Sequence, residues 1–275
     1  MARLTGAPLC VKGLRVENTQ IRDGQGTMSW PAGYGRRVMA EIDSTNAEAA
    51  RRAGMMAGPE WICALNQTAG RGRRGRAWTM PPGNFAATLV MRPREAPQVV
   101  ALRSFVASLA LYDAFAAATG RVDGLALKWP NDVLLNGGKV AGILLESLGQ
   151  RQGVQHLAIG IGVNLVAAPG ANEVEPGAVR PVSLLSETGA RIAPEEFLDL
   201  LAEAYALHEA RFVTYGFEPI REAWLARAAR LGEVITARTG RTETTGTFET
   251  VDGSGNLVLT TRAGRQAIPA ADVFF

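Results

Sequence analysis

The chain has 275 residues, 47% of them apolar and 20% charged, and a formal net charge of +3. That length buries a sizeable core without disulfides or a structural metal, and the composition excludes disordered and collagen-like classes. No run of about 18 uninterrupted apolar residues occurs, the N-terminus lacks the apolar stretch of a secretory signal, and the two cysteines and two histidines form no disulfide framework or metal-ligand spacing, so a reducing cytoplasm is the expected compartment.

Residues 1–33 show little periodicity and several turn formers, among them Gly24, Gly26, Pro31 and Gly33. They are expected to form a poorly ordered extension. Met28 would serve as a start, which makes 1–27 an expected upstream extension without structural purpose. A strand is predicted over 34–42. Asp43, Ser44, Thr45 and Asn46 then precede the alanine-rich run 47–56. Hydroxyl and carboxylate side chains before such a run cap a helix, and Glu48 sits where the helix dipole favours acid. Strands are predicted over 61–66 and 85–91, with a basic loop between them. Apolar residues at helical spacing (Val99, Leu102, Phe105, Val106, Leu109, Phe115) predict one long core helix over 97–119, ended by Gly120. Short strands follow at 125–129, 133–135, 140–146 and 156–165. Asn136-Gly137 marks a hairpin between two of them. The proline- and glycine-rich stretch 167–181 reads as a long loop, and 194–211 and 217–229 as amphipathic helices. After Leu231 the composition turns to short strands at 234–237, 244–249, 256–260 and 266–268. These form a small β-barrel that should lean on the larger unit, being marginal alone.

Four motifs carry the chemistry. The first is the loop from Gly70 to Trp78, with Arg71, Arg73, Arg74 and Arg76 and no acid. Four guanidiniums so close together repel one another unless an anion is near. Gly70, Gly72 and Gly75 have the spacing of a dinucleotide fingerprint, but such a loop must open directly into a helix, and Met80-Pro81-Pro82-Gly83 does not. An RNA-binding Arg-Gly segment would repeat and would interleave aromatics; only Trp78 is close. A solvated basic turn is the plain alternative. A phosphate cradle is the other, since glycines admit backbone N–H groups to an anion and guanidiniums grip phosphate in forked geometry. The second motif is Lys128-Trp129-Pro130-Asn131-Asp132. A lysine ending a buried strand is costly without an anion, and Asp132 could be a simple ion-pair partner. The third, Gly138-Lys139-Val140-Ala141-Gly142, puts a lysine at a turn, where it would ordinarily be solvated. The fourth, Gly160-Ile161-Gly162-Val163-Asn164, is a glycine-rich strand that lets a ligand or backbone approach. Positive charge beside glycine recurs in this set and points to an anionic nucleotide. Adenylation of a carboxylate needs such a site and no protein nucleophile, because the substrate carboxylate itself attacks the α-phosphorus of ATP.

Taken in order, with Asp43-Ser44-Thr45-Asn46 and Gln67-Thr68-Ala69 ahead of the arginine loop and Ile143-Leu144-Leu145-Glu146 after the third motif, these residues resemble the biotin–protein ligases over about 34–270. The resemblance implies an α+β fold. Its catalytic unit would be class II synthetase-like, a mixed β-sheet flanked by helices over 34–230, with an SH3-like barrel at 231–275. It implies two steps: biotin and MgATP give biotinyl-5′-AMP and pyrophosphate, then a lysine of a biotin carboxyl carrier domain attacks the mixed anhydride. It also implies roles. Ser44, Thr45, Asn46 and Gln67 would contact the ureido head. Arg71, Gly72 and Arg73 would close over the biotin tail and phosphates, and Lys139 and Gly142 would meet biotin. Lys128 would stabilise the transition-state charge, with Arg73 and Asp132 as its catalytic companions. Arg71, Arg74, Trp78, Lys128, Asn131 and Asn164 would bind nucleotide. Loop 167–181 would order over the adenylate. Metal ligands stay unassigned, with Asp132 a candidate.

Some members of that family carry an N-terminal winged helix and act as repressors. The stretch before Asp43 is too short for one and shows no helical periodicity, so a ligase without operator DNA is expected. No membrane partner is expected, and exposed sheet edges would allow a homodimer. The rival enzyme is a lipoate–protein ligase, whose Arg-Arg, Gly-Gly-Gly and His-Asp signature is absent. The rival of another class is a nucleic-acid-binding module built on the arginine loop.

Overall fold

A computed structural model describes residues 30–149, 154–170, 173–174, 177–240 and 242–274. Of the expected poorly ordered extension 1–33, residues 1–29, the upstream stretch 1–27 included, lie outside them, whereas Trp30 packs against the core. The larger unit is built on a seven-stranded mixed sheet in the order β1-β2-β3-β7-β6-β5-β4. Its strands are β1 (Gly35–Met39), β2 (Glu60–Ala64), β3 (Phe85–Met91), β4 (Leu125–Lys128), β5 (Asp132–Leu135), β6 (Gly138–Leu148) and β7 (His156–Val163). β1 and β2 run parallel, and every other neighbouring pair is antiparallel. Helices do not alternate with strands, which makes the class α+β rather than α/β.

Period-two alternation sorts the two faces of the sheet. Trp61, Cys63, Phe85, Ala87 and Leu89 point into the main core, whereas Ile62 and Val90 belong to a smaller cluster with Ala49 and Ala53. The main core is closed by α3 (Arg103–Thr119), α5 (Pro194–Tyr215) and α6 (Glu218–Leu225), with short α2 (Pro97–Ala101) and α4 (Leu184–Thr188) at its margins. Phe197 of α5 meets Phe85 and Phe115 at 5.2 and 5.3 Å between ring centres, and Phe105 of α3 meets Trp224 at 5.3 Å. Among the described helices, α1 (Thr45–Arg52) covers the opposite face. Because α1 is short, it leaves the middle of the sheet open beside its N-terminus, and the candidate site lies there.

Several predicted bounds move. The long helix over 97–119 turns tightly at Leu102, so α2 and α3 are distinct. By composition it could cross a membrane, but it lies mostly buried inside the fold. The first strand is only Gly35–Met39, with Ile42 reduced to a single bridge to Gln67. Helix α5 runs on to Tyr215, and α6 stops at Leu225. Residues 227 and 229 hydrogen-bond to Leu127, at 2.8 Å each, and cover the outer side of β4. The hairpin between β5 and β6 turns through Asn136 and Gly137, both at positive φ (48° and 76°), as the Asn-Gly pair predicts.

The smaller unit is a five-stranded antiparallel sheet in the order β11-β10-β9-β8-β12, consistent with the SH3-like barrel expected. It comprises β8 (Val234–Thr239), β9 (Thr242–Val251), β10 (Leu257–Thr261), β11 (Gly264–Ile268) and β12 (Asp272–Phe274); the last was not predicted. The unit leans on the larger one, as its size requires. Phe248, Val251 and Leu257 join the main core, and Trp129 Nε1 donates to Gly255 O at 3.0 Å.

Candidate active site

A cavity of about 490 Å³ opens on the α1 side of the sheet, over the glycines of β6 and β7. Gly142 and Gly162 are register partners there, and Gly160 lies two residues before Gly162. These glycines are required by space. A Cβ on Gly160 would sit 2.2 Å from Asn46 Oδ1, and one on Gly162 would sit 2.4 Å from the Trp78 indole. Sequence thus lowers the floor so that two large polar side chains can lie on it.

One end of the cavity is neutral and rich in hydrogen bonds. Ser44 caps α1, accepting from Ala47 N at 3.5 Å. Arg51 holds the Asp43 carboxyl down to about 2, and Asp43 Oδ1 accepts from Ser44 N at 2.7 Å. Ser44, Thr45 and Asn46 are all buried. Thr45 N donates to Gln67 Oε1 at 2.8 Å, and Asn46 Nδ2 donates to Glu146 Oε2 at 2.6 Å. Beneath them Thr88 of β3, fully buried, places its hydroxyl 2.5 Å from Asn46 Oδ1.

The other end is cationic. Lys128 ends β4, and Asp132 opens β5 directly across the register from it. Lys128 Nζ lies 3.6 Å from Asp132 Oδ2, and Lys139 Nζ lies 2.6 Å from Oδ1. Burial pushes the Lys128 ammonium below its usual value; Asp132 opposes that shift and Lys139 adds to it. Burial presses the Asp132 carboxyl upward, but Lys139 and Lys128 outweigh it and hold the group below the usual range. Asn131 follows the cis Trp129–Pro130 bond. Its Nδ2 donates to Ile143 O at 2.6 Å, and its Oδ1 accepts from Arg73 Nη1 at 3.3 Å. Arg73 is pushed down by burial, which Asp272 and Asp132 oppose; a guanidinium stays charged regardless.

The anion that four clustered arginines demand comes from the far end of the chain. Asp272 of β12 lies 3.6 Å from Arg73 and 3.4 Å from Arg76, and it pairs closely with Arg74. Arg74 adopts positive φ (57°) and pairs with Asp272. Trp78 Nε1 is buried without a hydrogen-bond partner among the described residues, and so is Asn164 Oδ1. Asn164 Nδ2 is committed to Val182 O at 3.1 Å. One donor and one acceptor therefore stand unpaired in the wall, a cost that a bound polar ring would offset.

The residues expected from sequence converge. Ser44, Thr45, Asn46, Gln67, Arg71, Gly72, Arg73, Trp78, Lys128, Asn131, Asp132, Lys139, Gly142 and Asn164 all line this cavity. Arg74 does not, and points to Asp272 instead. Loop 167–181 contributes Pro169, Glu173, Val174, Ala178, Val179 and Pro181. Sequence reasoning missed Thr88 and Asp272, named Arg76 only as part of the basic loop, and gave Glu146 no role. Among the described residues no group of three or more His, Cys, Asp or Glu could hold a metal ion.

Residues 38–164 match the Biotin/lipoate A/B protein ligase family, and 231–275 match the Biotin protein ligase C terminal domain. The chain is 62% identical over 238 residues to the biotin–[acetyl-CoA-carboxylase] ligase of Paracoccus denitrificans, covering 86% of this chain and 99% of that one. It is 32% identical to the bifunctional ligase/repressor BirA of Bacillus subtilis, covering 77% of this chain and 65% of that protein. The biotin protein ligase of Aquifex aeolicus in complex with biotin and ATP has a similar fold, with TM-score 0.76 and 24% identity over 87% of this chain and 97% of that one. The cluster of amide, ammonium and guanidinium groups on an α+β sheet with an appended barrel defines an acid-activating ligase. The chain belongs to the biotin protein ligase family.

Proposed function

We propose that this chain attaches biotin to a specific lysine of a biotin carboxyl carrier domain in the cytoplasm, using MgATP and passing through biotinyl-5′-AMP. The observation that carries the reading is the division of one cavity into a neutral hydrogen-bonding end and a cationic end. A ureido ring offers two N–H donors and one carbonyl, which suits Ser44, Thr45, Asn46 and Gln67. A dithiolane ring offers none of these, so the same geometry disfavours lipoate.

In the first step a biotin carboxylate oxygen forms a bond to the α-phosphorus of ATP, and the bond to pyrophosphate breaks. Both reactants are anions, so alignment and charge neutralisation are the chief requirements. Lys139 and Arg71 hold the carboxylate side. Lys128 and Arg73 stabilise the charge that grows on the phosphoryl oxygens. Asp132 acts through the two lysines it pairs with, fixing their places, and Asn131 fixes Arg73. The unpaired donor of Trp78 and acceptor of Asn164 suit an adenine edge. Asp132 already spends its charge on two ammoniums, which fits it poorly as a metal ligand, so Mg²⁺ enters on the phosphates as part of the substrate. In the second step the neutral ε-amine of the acceptor lysine attacks the acyl carbon, the acyl–phosphate bond breaks and AMP leaves. Loop 167–181 and the arginine loop shield the anhydride from water meanwhile. The same reading makes 34–230 the catalytic unit and 231–275 a barrel that anchors the arginine loop through Asp272. It includes no membrane or operator DNA partner; the P. denitrificans relative, matched over 99% of its length, is named as a ligase alone.

Incubation with biotin, MgATP and a carrier domain should give a biotinylated carrier, detected by mass spectrometry. A carrier with its acceptor lysine changed to arginine should remain unmodified while biotinyl-5′-AMP accumulates. Absence of both products would overturn the reading.

A further inference from the structure

We infer that Glu146, acting through Asn46 and Thr88, is a positioning residue that fixes the direction of the hydrogen bonds offered to the ligand's ring; this rests on the biotin reading above. Glu146 does not line the cavity; it stands behind Asn46, which does. Four groups form a chain. Glu146 Oε2 is 2.6 Å from Asn46 Nδ2, Asn46 Oδ1 is 2.5 Å from Thr88 Oγ1, and Thr88 Oγ1 is 2.8 Å from Thr45 Oγ1. The chain joins three elements, β6, α1 and β3, and returns to the start of α1, so no local sequence pattern shows it.

A carboxylate can only accept. Asn46 must therefore turn its NH₂ toward Glu146 and its carbonyl toward Thr88. The carbonyl also only accepts, so the single Thr88 proton goes to Asn46. Thr88 then has lone pairs but no proton for Thr45, and the 2.8 Å contact is made by Thr45 donating. Thr45 Oγ1 also lies 3.1 Å from Gln67 Oε1, which accepts from Thr45 N at 2.8 Å and has a second lone pair; this longer contact is the weaker draw on the proton, and either partner keeps it out of the cavity. With its proton spent inward, the Thr45 hydroxyl presents lone pairs to the cavity. Asn46 keeps one free N–H and one free lone pair. The wall thus offers an acceptor at Thr45 to a ring N–H, and the choice is made by a charge behind it. Gly160 completes the device, since any side chain there would strike Asn46 and turn it. Without the carboxylate, both hydroxyls and the amide could reverse together; Thr88 would then donate to Thr45, and the Thr45 proton would be free to meet a ring N–H with another donor.

The test is Glu146→Gln, which keeps the shape and removes the acceptor-only constraint, beside Thr88→Val and Thr88→Ser. Biotin and ATP affinities would be measured separately by calorimetry, with thermal unfolding as the check on folding. Glu146→Gln and Thr88→Val should weaken biotin about tenfold or more, corresponding to about 1.4 kcal/mol. ATP affinity and unfolding temperature should change little, and Thr88→Ser, which restores the hydroxyl, should recover most of the biotin affinity. Glu146→Gln that binds biotin as the unsubstituted protein does, or that loses both ligands equally, would overturn the inference, as would equal losses in the Val and Ser variants. Unsubstituted protein that binds no biotin would instead overturn the functional reading on which the inference stands.

Discussion

Replacing Lys128 by methionine removes the cation placed to meet the transferring phosphoryl group while keeping the volume of a buried side chain. The magnitude follows from position. Lys128 is only 8% exposed at its side chain, so bulk water screens it poorly. An ammonium about 4 Å from a growing unit charge, at an effective dielectric of about 20, contributes about 4 kcal/mol. That is on the order of 10³-fold in rate. Lys139 and Arg73 take up part of the charge in the variant, which sets the expected loss of adenylation rate at about 10²- to 10³-fold. The fold should survive, because Asp132 keeps Lys139 at 2.6 Å and methionine has no charge to desolvate. Single-turnover pyrophosphate release with biotin and ATP, without acceptor, reads the chemical step, and calorimetry reads biotin affinity, which should move far less. A pH series adds a second check. Burial lowers the Lys128 value from the ordinary 10.5, so the cation is lost as pH rises, earlier than an ordinary lysine would lose it. The unsubstituted protein should therefore show an alkaline fall in adenylation below that value, and Lys128→Arg, which stays charged, should flatten it. A normal single-turnover rate in Lys128→Met would refute the role given to this residue.

Gly162→Ala brings a methyl within 2.4 Å of the Trp78 indole at an ordinary backbone conformation; ATP affinity measured by calorimetry should drop about tenfold or more, and an unchanged value would show that the indole does not frame the nucleotide. Asp272→Asn removes the anion that gathers Arg73, Arg74 and Arg76; hydrogen exchange in the ligand-free protein should rise over 71–77, and unchanged exchange would show that the loop is held by other contacts. Arg103→Met leaves Glu209 buried without the guanidinium that donates to it at 2.7 and 3.0 Å; urea unfolding should show a loss of about 3–5 kcal/mol, and a loss below about 1 kcal/mol would contradict the structural role of that pair.

The parts of the site that sequence reveals are those whose chemistry is local. Asp43 to Asn46 announce a helix start, and Lys128, Asp132 and Lys139 fall on three consecutive antiparallel strands. Glycine at 142, 160 and 162 marks a floor that something must approach. What stays hidden is long-range pairing. Asp272 meets arginines 196 and 198 residues earlier, and β12, which carries it, is three residues long and too short for a periodic signal. Glu146 and Asn46 are 100 residues apart, and a threonine in an apolar strand, as Thr88 is, reads as ordinary β-branched filling. Arg74 misleads for the opposite reason. Arg73 and Arg76 line the cavity, but Arg74, itself left-handed, spends its guanidinium on Asp272 and does not. The sequence demanded an anion near the arginine loop, and a carboxylate of the small barrel meets that demand.

The central claim is that the cavity joins a ureido-bearing acid to an adenylate. Purified protein given ATP and no acceptor should release pyrophosphate stoichiometrically when biotin is added and not when lipoate is added. Release with lipoate but not biotin, or with neither, would contradict the account.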